Sequence, residues 1–194
     1  MRWPRSRLSR RRGGMSIALV CGVAVVACRA TVWATVLLPA DLGELVREAP
    51  IVARGRIADL RSQWTDDRRS IETLVTLDVQ AYLKGELGAA VTFRVPGGRL
   101  GRFRSLVVGA PEFAVDQHVV VFLGHRGPSV PYVLGLSQGV YRLSASEAGW
   151  VVTPPPVVAG EGKPGLVVRG DLGRRPLALG DFERQVRRLT GATP

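Results

Sequence analysis

Two stretches of this chain, Ile51 to Leu60 and Ile71 to Leu83, alternate their side chains with period two, and a polar turn, Thr65-Asp66-Asp67-Arg68-Arg69-Ser70, lies between them. In the first, Ile51, Ala53, Gly55 and Ile57 share one parity and Val52, Arg54, Arg56 and Ala58 the other. In the second, Leu74, Thr76, Asp78 and Gln80 oppose Val75, Leu77, Val79 and Ala81. A one-residue slip in such a pair would turn every side chain to the wrong face, so the pattern predicts a half-buried hairpin of fixed register. Gly55 offers no side chain to pack and marks a bulge or a close approach of neighbouring backbone. Lys84-Gly85 closes the second strand.

More strand signals follow. Ala90 to Val95 ends at Pro96-Gly97-Gly98, Leu106 to Val108 is a further short strand, and His118 to Leu123 is a continuous apolar run suited to burial on both faces. Tyr132 to Leu136, Val140 to Leu143 and Trp150 to Thr153 are shorter strands. Two segments carry the other period. Asp41 with Glu44 three residues on is a capping-box spacing, Leu42, Leu45, Val46 and Ala49 form an apolar stripe, and Pro50 stops that helix. Near the end, Leu179, Phe182, Val186 and Leu189 predict a helix from about Asp181 to Leu189, with Arg184, Arg187 and Arg188 outward and its apolar stripe plugging one face or mouth of the sheet. Pro154-Pro155-Pro156 stops the sheet, and Gly160 to Gly173 reads as a loop or extended arm. Many short strands punctuated by Gly and Pro predict a mainly β fold, a closed barrel or small sandwich, with one short N-terminal helix and one C-terminal helix.

The beginning of the chain bears on location. Six arginines up to Arg12 precede an apolar run from Met15 to Cys28, and Val32-Trp33-Ala34 supplies a small-residue cleavage site. This is the order of a secretory signal peptide, and the run is shorter than the roughly 18 residues a membrane-spanning helix needs. The expected organisation is a signal at 1–34, a β domain at 35–153, and an arm with the C-terminal helix at 154–194. The domain would be exported, periplasmic or secreted. An alternative stays open at Val25-Val26-Ala27-Cys28, which resembles a bacterial lipobox and would leave a lipidated Cys28 as anchor. Ser9-Arg10-Arg11-Arg12 resembles a twin-arginine signal, although Gly13 and Gly14 stand where an apolar pair is usual.

Removing the leader changes the charge argument. Residues 1–34 hold seven arginines and no acid, which leaves +4 of the chain's +11 for the remaining 160 of its 194 residues. A charge of that size suits ordinary solubility and gives no warrant for a nucleic-acid partner. Both cysteines, Cys21 and Cys28, lie in the leader, so the domain depends on its core rather than on disulfides.

Candidate chemistry is sparse. Gly135-Leu136-Ser137-Gln138-Gly139 matches GxSxG, the nucleophile elbow of α/β-hydrolases. The segment after it reads as a strand rather than a helix, and no histidine lies downstream of Ser137, so a tight turn is the preferred reading and a serine hydrolase the disfavoured alternative. His118 and His125 flank the apolar run and would stand ~23 Å apart on a straight strand at 3.3 Å per residue. Asp116 could approach His118, yet zinc wants three or four ligands and the domain has no cysteine, so neither a metal nor another cofactor is expected. Asp66-Asp67 reads as turn chemistry, and Gly109-Ala110-Pro111-Glu112-Phe113 as a structural turn with Phe113 as its core anchor. The binding candidate is the segment from Arg94 to Arg104. There Arg94, Arg99, Arg102 and Arg104 surround Pro96-Gly97-Gly98 and Gly101, with Phe93 and Phe103 interleaved. Guanidinium groups on such a hairpin grip phosphates or carboxylates, and aromatics add stacking; the bland reading is a solvated loop that protects a sheet edge.

Ala49-Pro50-Ile51-Val52-Ala53-Arg54-Gly55-Arg56-Ile57, Leu83-Lys84-Gly85, Pro96-Gly97-Gly98, Gly109-Ala110-Pro111-Glu112-Phe113 and Val121-Phe122-Leu123, in this order, resemble a group of exported bacterial proteins without an assigned function. The first two pieces are also similar, over about residues 49–85, to netrin-like OB barrels that include the tissue inhibitors of metalloproteases. That resemblance implies an OB-like barrel of five strands or slightly more. It carries no inhibitory residue across, because the domain lacks the N-terminal cysteine those inhibitors use. The expected function is a non-catalytic exported binding module whose partner is an envelope protein or an anionic envelope component. A structural or assembly role in the envelope is the other alternative. Membrane contact is expected only through the signal or a lipidated Cys28.

Overall fold

The computed structural model describes residues 40–127, 129–155 and 175–191. The leader expected at 1–34, with Cys28, and the arm expected at Gly160 to Gly173 lie outside the described residues. The described residues all belong to one compact unit, Leu38–Pro194.

In chain order the elements are α1 (Leu42–Glu48), β1 (Ile51–Trp64), β2 (Ile71–Lys84), β3 (Ala90–Pro96), β4 (Gly98–Leu100), β5 (Phe103–Ser105), β6 (His118–Gly124), β7 (Tyr132–Val133), a 3₁₀ turn (Leu136–Gly139), β8 (Val140–Ser146), β9 (Gly149–Thr153), β10 (Leu177–Ala178) and α2 (Leu179–Thr190). The fold is mainly β. Eight strands form one mixed sheet in the order β1-β2-β3-β7-β6-β8-β9-β10, and β4 and β5 form a separate hairpin. β1 pairs with β2 along nearly its whole length, and its first half, Ile51 to Arg56, also pairs with β6.

The long hairpin forms where the alternation placed it, and Gly55 explains how two partners fit along β1. The β1–β2 register shifts between Arg54 and Gly55 and again between Ile57 and Asp59. A Cβ on Gly55 would lie 2.1 Å from the Asp78 carbonyl oxygen, so glycine lets the two backbones approach at the bulge.

Two apolar layers lie on opposite faces of this sheet. One gathers Ile57, Val75, Leu77, Phe93, Val119, Val121, Leu123 and their neighbours from β1, β2, β3 and β6. The other gathers Val52, Val120, Phe122, Tyr141 and Val152 from the strands with Leu45 and Val46 of α1 and Phe182 and Val186 of α2. Strand β6 contributes alternate residues to both layers, which is why its sequence is apolar without interruption.

The helices are fixed at their ends. The Asp41 carboxylate accepts the Glu44 amide at 2.6 Å while the Glu44 carboxylate accepts the Asp41 amide at 3.0 Å, closing the capping box. At the other end of α1 the Lys84 ammonium donates to the Val46 carbonyl at 2.6 Å, placing a cation at the negative end of the helix dipole. In α2, Phe182 packs against Tyr141 with ring centroids 5.1 Å apart. Beside it Glu183 faces Arg54 of β1 at 3.1 Å, at an angle that makes this a charge contact rather than a hydrogen bond.

Three strand expectations need correction. Leu106 to Val108 is not a strand; the short pairing in this region is β4 with β5, built from the residues read as a loop. Tyr132 to Leu136 shortens to Tyr132–Val133 and passes into the 3₁₀ turn. Trp64 belongs to β1, which runs past Leu60 because the hairpin with β2 stays in register to Trp64↔Ile71.

Candidate functional site

The β4–β5 hairpin lies against the far end of β1 and β2. Gly97 donates its amide to the Ile71 carbonyl at 2.9 Å, and the Thr73 hydroxyl donates to the Gly97 carbonyl at 2.8 Å. Gly98 then passes so close that a Cβ there would lie 2.5 Å from the Thr73 hydroxyl oxygen and 2.8 Å from that of Ser62. The Pro96-Gly97-Gly98 sequence is therefore a fitted corner that turns the chain over the end of the sheet.

Beyond the corner, Arg99 stands directly opposite Arg104 and Leu100 opposite Phe103, with Gly101-Arg102 as the turn. The Arg102 guanidinium lies over the Phe103 ring at 5.0 Å, and Phe103 meets Trp64 of β1 edge-on at 5.4 Å. Trp64, Thr65, Asp66 and Arg68 line an open depression beside this contact. Within the adjoining turn, Asp67 accepts the Thr65 hydroxyl at 2.6 Å and the Arg69 amide at 3.1 Å. These bonds, the hydroxyl's first, hold its carboxyl below the usual aspartate range.

The four arginines singled out by the sequence divide into two settings. Arg99, Arg102 and Arg104 come together on the hairpin, exposed, and none forms an ion pair with a carboxylate among the described residues. Arg94 stands apart on β3, 3.7 Å from the Glu72 carboxylate. Glu72 is only 7% exposed and also accepts the Gln63 carboxamide at 3.0 Å. Arg94 is thus the counter-ion of a buried acid. Nothing in the local sequence marked Glu72, since its partners come from β1 and β3.

The remaining candidates take structural partners. The Ser137 amide donates to the Gly109 carbonyl at 2.9 Å, and the neighbouring Gln138 carboxamide oxygen accepts the Ala40 amide at 2.6 Å. Strand β8 follows the motif directly, so Gly135 to Gly139 is a 3₁₀ link between strands and lacks the strand–turn–helix geometry of a nucleophile elbow. The His118 ring lies 4.7 Å from that of Trp150, and His125 is exposed just past β6. Asp116 turns to Arg56 rather than to His118. Arg56 also donates to Asp78 at 3.0 Å, and the two acids, Asp116 first, raise the guanidinium's pKa above its usual value. Among the described residues no group of three or more His, Cys, Asp or Glu is placed to hold a metal ion. Phe113 packs edge-on against Phe93 at 5.6 Å, as the core anchor of its turn.

No family model, curated protein or solved structure matches the chain.

Proposed function

We propose that this chain is an exported, non-catalytic binding module on an OB-like closed barrel, and that the β4–β5 hairpin is where it takes an anionic component of the cell envelope. The barrel reading is supported by the strand pairings. β1 pairs with β2, β2 with β3, β3 in parallel with β7, β7 with β6, and β6 again with β1. These pairings run in a ring, closed between β3 and β6 by the two-residue strand β7, and the one parallel pair within it agrees with an OB-type order. The leader at 1–34 supports export.

The observation that carries the binding reading is the pair Arg99 and Arg104. Like charges directly opposite on a hairpin repel, and no carboxylate among the described residues offsets this pair, whereas Arg94 on the adjoining strand is matched by Glu72. A phosphate or carboxylate seated between the two guanidiniums, with Arg102 at the turn, replaces repulsion by charge-assisted hydrogen bonds. The test is a chain carrying Arg99→Ala, Arg102→Ala and Arg104→Ala, titrated with inorganic polyphosphate as a generic anion. The melting curve should be unchanged within a few degrees, because all three side chains are exposed. Affinity should fall roughly tenfold to a hundredfold, since exposed charge contacts contribute up to about 1 kcal/mol each. Equal affinity in parent and variant refutes the assignment.

A further inference from the structure

The same end of the domain exposes several large apolar side chains. Val108 is 98% exposed, Leu106 73%, Phe103 47% and Trp64 38%. Trp64 touches Phe103, and Leu106 and Val108 continue the chain just beyond β5. The Val107 amide nitrogen lies 3.7 Å from where a Gly97 Cβ would stand, so this stretch passes beside the corner that holds the hairpin. Arg99, Arg102 and Arg104 are interleaved with these residues along the chain and supply the positive rim, while the turn after Trp64 carries Asp66, Asp67, Arg68 and Arg69 and adds no net charge. Neither Arg68 nor Arg69 has a carboxylate ion-pair partner among the described residues.

Unpaired arginines alone would suit any soluble polyanion, but such a ligand leaves Leu106 and Val108 in water. A cluster of exposed apolar side chains rimmed by cations matches a different surface: phosphates at the level of the guanidiniums and hydrocarbon just below them. Tryptophan and phenylalanine are side chains suited to that boundary, with an apolar body and, in tryptophan, one polar edge. We infer that this end of the domain docks on an anionic phospholipid bilayer, with Phe103, Leu106 and Val108 entering the headgroup–acyl boundary while Arg99, Arg102 and Arg104 hold lipid phosphates. The inference rests on the anion-binding reading above and names its ligand class. It adds a membrane contact made by the folded domain to the two that the leader suggests, cleavable signal and lipidated Cys28.

The test places a reporter at the site itself, so that contact of this face is read apart from attachment through the leader. In the full chain with Cys21→Ser and Cys28→Ser, Val108→Cys carries an environment-sensitive fluorophore, and a second chain carries it at Glu147→Cys, exposed on the β8–β9 hairpin. Both are titrated with phosphatidylglycerol–phosphatidylcholine vesicles, with pure phosphatidylcholine vesicles and with inorganic polyphosphate. The expected result is a blue shift at position 108 with anionic vesicles only, quenching there by lipids spin-labelled near the headgroup, and no shift at 147. Arg99→Ala, Arg102→Ala and Arg104→Ala together should weaken the vesicle titration on the order of a hundredfold, at about 1 kcal/mol per basic residue near such a surface. Leu106→Ser, which removes an exposed side chain, should weaken it with the fold intact. Equal shifts at 108 and 147 overturn the inference, because adsorption would then not use this face. Polyphosphate binding that needs the arginines, without a vesicle shift at 108, overturns the bilayer and keeps the anion site. Arginine-independent results with both ligands overturn both readings.

Discussion

Gly55→Ala is expected to be among the most damaging single-methyl additions in the domain, lowering stability by about 3 kcal/mol or more. The new Cβ would lie 2.1 Å from the Asp78 carbonyl oxygen, 2.9 Å from its carbon and 3.0 Å from the Leu77 Cγ. Two of the three obstacles are backbone, which no rotamer change relieves. The strand cannot step aside either, since Gly55 is paired to Val79 of β2 on one side and to Val119 of β6 on the other. For a domain of this size the expected loss is roughly 6–12 °C in melting temperature, read by circular dichroism. Alanine tolerated at position 55 with the parent's melting point would mean that β1 and β2 are not held at this bulge.

Phe182→Ala should cost about 3–5 kcal/mol, the range for emptying a buried aromatic site. Phe182 is 2% exposed and ends a row of three rings, Phe122, Tyr141 and Phe182, that runs from β6 through β8 into α2. Its removal opens a cavity in the layer between the sheet and the two helices and loosens the contact that sets Glu183 against Arg54. Arg188→Ala in the same helix is the control, because that side chain is exposed and should change stability by less than about 0.5 kcal/mol. Urea unfolding of the two variants separates the cases. Equal effects would show that α2 does not cover the sheet.

Most of what the sequence revealed about this fold was local or periodic. Asp41 and Glu44 announced a helix start because both halves of the capping box lie within one turn. The pairing of β1 with β2 followed from period-two alternation, although the register shifts along the hairpin, and Gly55, readable as a bulge or a close approach, proves to be both. The unbroken apolar run of β6 pointed to burial on both faces, and the structure supplies both. What escaped depends on distant partners. Glu72 is a buried acid only because Gln63 and Arg94 come to it from neighbouring strands. Strands β4 and β5 are three residues each, carry arginines and glycines, and exist because Gly97 and Gly98 lock onto Ile71 and Thr73. Leu106 to Val108 has strand composition but no strand to pair with. Of the candidate site, the sequence grouped four arginines on a hairpin or a solvated loop; the structure puts three of them on the β4–β5 hairpin, Arg94 could not be separated from them without its partner, and the Trp64–Phe103 contact has no sequence signature.

On the proposed reading, Arg99 and Arg104 stand opposite each other in mutual repulsion for the sake of an anion. Thermal melts of the parent and of Arg104→Gln, at low salt with and without inorganic polyphosphate, test it most directly. Without the anion, Arg104→Gln should melt slightly above the parent, since relieving one like-charge pair on a strand is worth a few tenths of a kcal/mol to about 1 kcal/mol. With polyphosphate the parent should rise and overtake it. A variant that melts below the parent without anion, with both proteins rising equally when polyphosphate is added, would contradict the account.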